Sequence, residues 1–240
     1  MFKVELLRVI KTPINWIFSV VFPIALIIIF GLLLGREYLH YGVIGIILLI
    51  SLTGTIIPIS IYFCSDKVEK RIKHYLIIQG AIKRYTIALY LVNLIIFIFV
   101  SLIIFLITIL LFKVNINYKA ILMLLTFPII SYSLAFMIVI ILGSLVTSIN
   151  SIIPFSMLLF YVFLFLSGLV IPLQSLMEEN QNFYYIEVLT PFGCLYMFYS
   201  HVVGSIELST TKLLIAGFVI LGWIVTLSYF LYLSLKTFKK

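Results

Sequence analysis

A chain of 240 residues that is 64% hydrophobic and only 10% charged carries far less charge than the roughly one quarter typical of soluble domains. So much apolar surface cannot be hidden in a small soluble core, which excludes a soluble fold and makes lipid the natural solvent. The net charge of +8 does not point to nucleic acid, because the basic residues stand at the ends of apolar runs and not on a polar surface.

Residues 1–12 read as a short amphipathic helix lying in the membrane interface. Phe2, Leu6, Leu7, Val9 and Ile10 share one arc of a helical wheel; Glu5, Arg8 and Lys11 share the other, while Lys3 and Val4 fit the pattern poorly. The alternative is an ordinary basic flank. Span one is expected from Ile14 to Gly35, too long for the apolar core of a secretion signal and followed by no small-x-small cleavage site. Pro13 suits its first turn, and Pro23 predicts a kink. A polar link, Arg36–Tyr41, leads to span two, Gly42 to about Cys64. That span is rich in small residues (Gly42, Gly45, Ser51, Thr53, Gly54, Thr55, Ser60), which either let helices approach closely or line a substrate path.

The most polar internal stretch, 65–86, follows. Asp66 to Ile78 can form an amphipathic helix with Ser65 or Asp66 as N-cap and Gly80 as its end. Such a helix either docks into a groove on a soluble partner or touches anionic headgroups. Spans three (Ile87–Phe112), four (Ala120–Thr147, kinked at Pro128) and five (Ile152–Leu173) come next. The segment 174–211 begins polar and turns aromatic. Glu187, Pro191 and His201 interrupt its apolar part, so Phe183–Val203 is expected as external helices dipping into the outer leaflet and not as a seventh span. Span six is Lys212 to about Leu235.

Six spans put both termini and the 65–86 loop on one side, with 12 Lys and Arg there against four (Arg36, Lys113, Lys119, Lys212) on the other. The positive-inside pattern makes that side cytoplasmic. The expectation is an all-α, multi-pass plasma-membrane protein built as one domain.

The sequence holds no Gly-x4-Gly-Lys-Ser/Thr loop, no His-Glu-x-x-His pair and no Gly-x-Ser-x-Gly elbow. His40, His74 and His201 lie far apart, without metal-ligand spacing. Cys64 and Cys194 fall near opposite membrane faces and are expected as packing residues. All eight acidic residues fall in expected loops or termini. Ion-coupled carriers usually place Asp, Glu or His within the membrane, so uphill transport by this chain would draw its energy from another polypeptide. Asn93, Ser101, Thr108, Ser131, Ser133, Ser144 and Asn150 either face a lumen or bond neighbouring helices.

At this point the chain resembles the permease subunits of ABC-2 type transporters over nearly its whole length. The amphipathic N-terminus resembles the family's connecting helix. Glu69-Lys70-Arg71, leading into Leu76-Ile77-Ile78-Gln79-Gly80 and Lys83-Arg84-Tyr85, resembles the first cytoplasmic loop with its coupling helix. Ser167-Gly168 followed by Pro172 is similar to the family's span-five ending, and Leu189-Thr190-Pro191-Phe192 to the proline of its external re-entrant helices. Where many members carry Gly-Thr after the charged cluster, this chain has Ile72-Lys73.

The resemblance implies a pair of permeases, homodimer or heterodimer, docked on two copies of an ABC ATPase subunit through Glu69, Lys70, Arg71, Lys73, His74 and Leu76. ATP and Mg would sit on that partner, with no cofactor, catalytic residue or metal in this chain. Ser167, Gly168, Pro172, Pro191 and Phe192 would belong to an external gate. The implied cargo is hydrophobic or amphipathic, such as a peptide toxin, an antimicrobial peptide or a drug, moved outward. Alternatives are an exporter of lipid-linked polysaccharide, a stand-alone channel or secondary carrier, and a membrane scaffold or enzyme.

Overall fold

In hydrocarbon every backbone N–H and C=O has to be satisfied within its own segment, so long apolar runs become helices. The computed structural model describes residues 2–11, 17–69, 81–113, 118–169, 182–204 and 207–237, and every regular element among them is helical. The elements are α1 (Phe2–Lys11), a π-helical turn at Ile17–Val21, α2 (Phe22–Val68), α3 (Ala81–Leu110), α4 (Tyr118–Leu145), α5 (Ile149–Leu166), α6 (Asn182–Val188), α7 (Pro191–Val203) and α8 (Thr210–Thr237). Spans four and six thus appear close to their expected bounds, while span three begins earlier, at Ala81 instead of Ile87, and the helix of span five ends earlier, at Leu166 instead of Leu173.

The first two spans differ from expectation. The link Arg36–Tyr41 is helical, and α2 runs without interruption for 47 residues. The reason is in the link itself: Arg-Glu-Tyr-Leu-His-Tyr holds neither glycine nor proline, so nothing in it ends a helix. A straight helix of that length would measure about 70 Å, yet Arg8, just upstream of α2, bonds Asp66 near its far end, so α2 is not one straight rod. The kink expected at Pro23 is replaced by the π-turn that runs into the proline at the start of α2.

Five described helices are long and apolar enough to cross a bilayer: Gly42–Val68, Ile82–Leu110, Ile121–Leu145, Ile149–Leu166 and Thr210–Lys236. The upstream stretch Phe22–Leu33 is shorter, and Ile14 to Trp16 lie outside the described residues. Helices α6 and α7 meet at a bend of 118° and add a sixth crossing only if taken as one broken span. The expected six separate spans are therefore five among the described residues.

The Gly42–Val68 part of α2 is the hub, buried over most of its length and packed against α3, α4 and α5. Its small residues permit this. A Cβ on Gly45 would come within 3.3 Å of the Tyr196 ring. On α4, a Cβ on Gly143 would come within 2.8 Å of Phe63. Ser51 hydrogen-bonds Ser131 of α4, and Ser60 bonds Ser156 of α5 at 2.6 Å. Asn93, Ser101, Thr108 and Ser133 each donate to the carbonyl one turn back, and Ser144 to that of Ile141. Of the two readings for these polar groups, the structure supports helix bonding. By contrast α5 and α8 turn large apolar side chains outward, Leu158, Tyr161, Phe218 and Val225 among them. Such a belt suits lipid contact, and the chain is a multi-pass membrane protein.

Candidate functional site

Polar groups gather at the two ends of this bundle. At the basic end, Asp66 sits in the last turns of α2, 2% exposed. Its Oδ2 accepts from Arg8 Nη1 at 2.5 Å and from the Tyr85 hydroxyl at 2.6 Å. One carboxylate therefore ties α1 and α3 to the foot of α2. Arg8 also lies 3.7 Å from Glu5 and 4.8 Å above the Tyr62 ring. Burial alone would lower the Arg8 pKa; the bond and charge of Asp66 outweigh it, the pKa is raised, and the guanidinium stays charged.

This pairing rotates α1. Glu5 and Val9 are buried while Phe2, Val4 and Leu7 are exposed. The helix lays part of its charged arc on the protein and leaves apolar residues outward, where lipid would meet them. Next in sequence, Lys67 Nζ donates to the carbonyls of Ser144 and Val146 at 2.5 and 2.9 Å. A lysine there meets the negative end of the α4 dipole and its unpaired carbonyls.

Helix occupies both ends of the expected stretch 65–86, whose residues 70–80 lie outside the described residues. Helix α2 continues to Val68 with Glu69 as C-cap, and α3 begins at Ala81. Ser65 and Asp66 therefore end a helix instead of capping a new one; Ser65 Oγ donates to Glu69 Oε1 at 2.8 Å. Of the expected docking residues, Glu69 is exposed at this turn, while Lys70, Arg71, Lys73, His74 and Leu76 lie outside the described residues.

At the opposite end, four of the five expected gate residues come together. Ser167 Oγ bonds Thr190 Oγ1 at 2.8 Å, joining the end of α5 to the bend between α6 and α7. Thr190 N-caps α7, accepting from Gly193 N–H at 3.0 Å, with Pro191 in its first turn. Phe192 is fully buried, edge-on to Phe163 with centroids 5.2 Å apart. Gly168 has φ +66, and a Cβ there would lie 3.3 Å from the Glu187 carboxyl carbon. A Cβ on Gly193 would collide with the Glu187 carbonyl oxygen. Pro172 lies outside the described residues.

Sequence reasoning missed Glu187 and Thr190 as members of this cluster. Glu187 is 0% exposed in α6, so not every acidic residue keeps to a solvated loop. Its signal was present, one carboxylate in an aromatic run, but was used only against a seventh span. Thr190 was legible as the Thr-Pro pair that starts a helix. From α8, Trp223 Nε1 donates to Leu189 O at 3.2 Å, and from α6 the Tyr184 hydroxyl donates to Lys212 O at 2.7 Å. The bent pair is thereby fixed to α8.

No curated protein and no solved structure matches the chain. A family model does: that of the ABC-2 type transporter, over residues 1–197, which takes in both polar ends and stops inside α7. With most of its length matched and its helices apolar enough to span lipid, this chain belongs to the ABC-2 type transporter family, as one of its membrane components.

Proposed function

We propose that the chain is the permease subunit of an ATP-driven exporter that moves a hydrophobic or amphipathic substrate outward across the plasma membrane. Its termini and basic end face the cytoplasm. Two permeases pair, as homodimer or heterodimer, and each docks an ABC ATPase subunit through the loop that starts at Glu69 and includes Lys70, Arg71, Lys73, His74 and Leu76. ATP and Mg belong to that partner. Ser167, Gly168, Pro172, Pro191 and Phe192 form the external gate.

The observation that carries this reading is the bonding at the foot of that loop. Asp66 and Lys67, directly before it, hold α1, α3 and the end of α4. A push on the loop is therefore delivered to three helices at once. At the far end the Ser167–Thr190 bond is a contact between separate elements that such a push can open. The aromatic, nearly uncharged character of the spans favours a cargo with a large apolar part.

The test is transport by inverted membrane vesicles carrying the permease and its ATPase. Accumulation of an amphipathic peptide that requires ATP, and that stops when the ATPase is left out, is the expected result. Equal accumulation without ATP would overturn the reading.

A further inference from the structure

We infer that the groove between α3, α4 and α8 at the basic end binds an anionic glycerophospholipid of the surrounding leaflet, its phosphate at Lys83 and an acyl chain along the groove. This inference rests on the membrane setting of the chain alone; it needs neither the direction of transport nor the ATPase.

Each of the three helices contributes one stripe. Helix α3 supplies Lys83, Thr86, Ile87 and Tyr90; α4 supplies Ser133, Phe136 and Met137; α8 supplies Leu231 and Leu235. These spacings of three and four place each set on a single helix face. They enclose about 370 Å³, within the range of small-ligand pockets.

The polar groups on the wall are committed. Thr86 donates to Ile82 O, Ser133 to Ile129 O, and the Tyr90 and Ser133 hydroxyls bond each other at 2.9 Å. What remains open to an occupant is apolar along its length and cationic at one end. Lys83 is the one charged residue on the wall among the described residues, and its side chain is exposed. Arg84 follows it, and Lys236 follows Leu235, both exposed. No carboxylate lines the groove among the described residues.

Lys83 stands two residues from the start of α3, at the membrane edge, and Tyr90 lies about 10 Å deeper along the helix. A basic pocket between spanning helices with an apolar floor matches an anionic headgroup joined to an acyl chain, and each lysine near the surface favours such a headgroup. A zwitterionic lipid would fill the same floor without the charge match.

The test uses the full chain, purified in neutral detergent and stripped of lipid. It is titrated with phosphatidylglycerol or phosphatidylcholine and read by native mass spectrometry. Phosphatidylglycerol should bind about fivefold more tightly. Lys83→Gln should remove that preference and Lys83→Arg should keep it. Lys113→Gln, at the opposite end of the bundle, should leave it unchanged. Ile87→Trp, which fills the groove, should weaken both lipids. Equal binding of the two lipids, a preference that survives Lys83→Gln, or an equal loss in Lys113→Gln would each overturn the inference, the last by showing diffuse charge attraction.

Discussion

Asp66 makes two contacts with one carboxylate. It holds Arg8, accepts from Tyr85 and, being almost fully buried, cannot exchange either partner for water. Removing its charge leaves the half-buried Arg8 guanidinium without its shortest ionic partner, a mechanism that costs about 3 kcal/mol when one partner of a buried pair is lost. Asp66→Asn should therefore lower the unfolding midpoint in a denaturing-detergent titration, and Arg8→Met should do so comparably. The double variant should lose much less than the sum, as expected for residues sharing one interaction. Additive losses would mean the pair contributes little. Gly168 presents a different constraint. Its φ of +66 and the 3.3 Å approach of a built Cβ to Glu187 predict that Gly168→Ala costs about 1–2 kcal/mol, by strain and by displacement of that carboxyl. Gly204 is its control: its φ of +84 has nothing within 4 Å of a built Cβ, so Gly204→Ala should suffer the strain alone.

Among the elements, α7 is set by its first residues. Thr190 caps it, Pro191 starts it, and the same Thr190 hydroxyl bonds Ser167. Thr190→Val keeps the shape and removes the hydroxyl's bonds to Ser167, the Gly193 N–H and the Glu187 carbonyl, so it should cost about 1–2 kcal/mol and loosen the end of α5 from the bend. Thr190→Ser should restore most of the loss. Cysteines placed at residues 167 and 190 should cross-link readily in the resting protein; a pair that fails to cross-link would contradict the observed contact. The long, strongly apolar helices α3, α4, α5 and α8 were each legible in the sequence, because about twenty apolar residues in lipid have one solution; the bounds of α4 and α8 agree closely, while α3 begins at Ala81 instead of Ile87 and α5 ends at Leu166 instead of Leu173. The boundary between spans one and two was not. A polar link signals a turn in a soluble protein, but Arg36–Tyr41 contains only residues a helix tolerates, and α2 runs through it. Which face of α1 the protein covers was not legible either. The wheel separates polar from apolar faces, but which face the protein covers depended on Asp66, 58 residues away.

At the scale of the whole molecule, the arrangement is a buried central helix with polar clusters at its two ends. Lys67 and Asp66 hold the basic end, and the bent pair α6–α7 is fastened to α5 and α8 at the other. The hydroxyls between the ends are spent on helix-to-helix and backbone bonds, so the transmembrane body is a set of pinned helices more than a prelined path. The near absence of charge between the ends, read from the sequence, agrees with this, although Glu187, expected on an external helix at the outer leaflet, lies fully buried. The resemblance singles out Ser167, Gly168, Pro191 and Phe192, four of the five expected gate residues that the structure brings together, while Glu187 joins them only through the fold. Lys67→Met should test the transmission from the foot of the loop: it removes the contact with the α4 carbonyls, so ATP-driven transport should fall several-fold while ATPase binding is retained. Lost binding would assign Lys67 to docking instead.

The most direct measurement of the central claim is co-purification of an ABC ATPase with the tagged full-length chain. The account predicts a stoichiometric ATPase that is lost when Lys70 and Arg71 are both changed to Glu, with the permease still folded and in the membrane. ATP-independent transport by the purified chain alone, with no ATPase in the preparation, would contradict it.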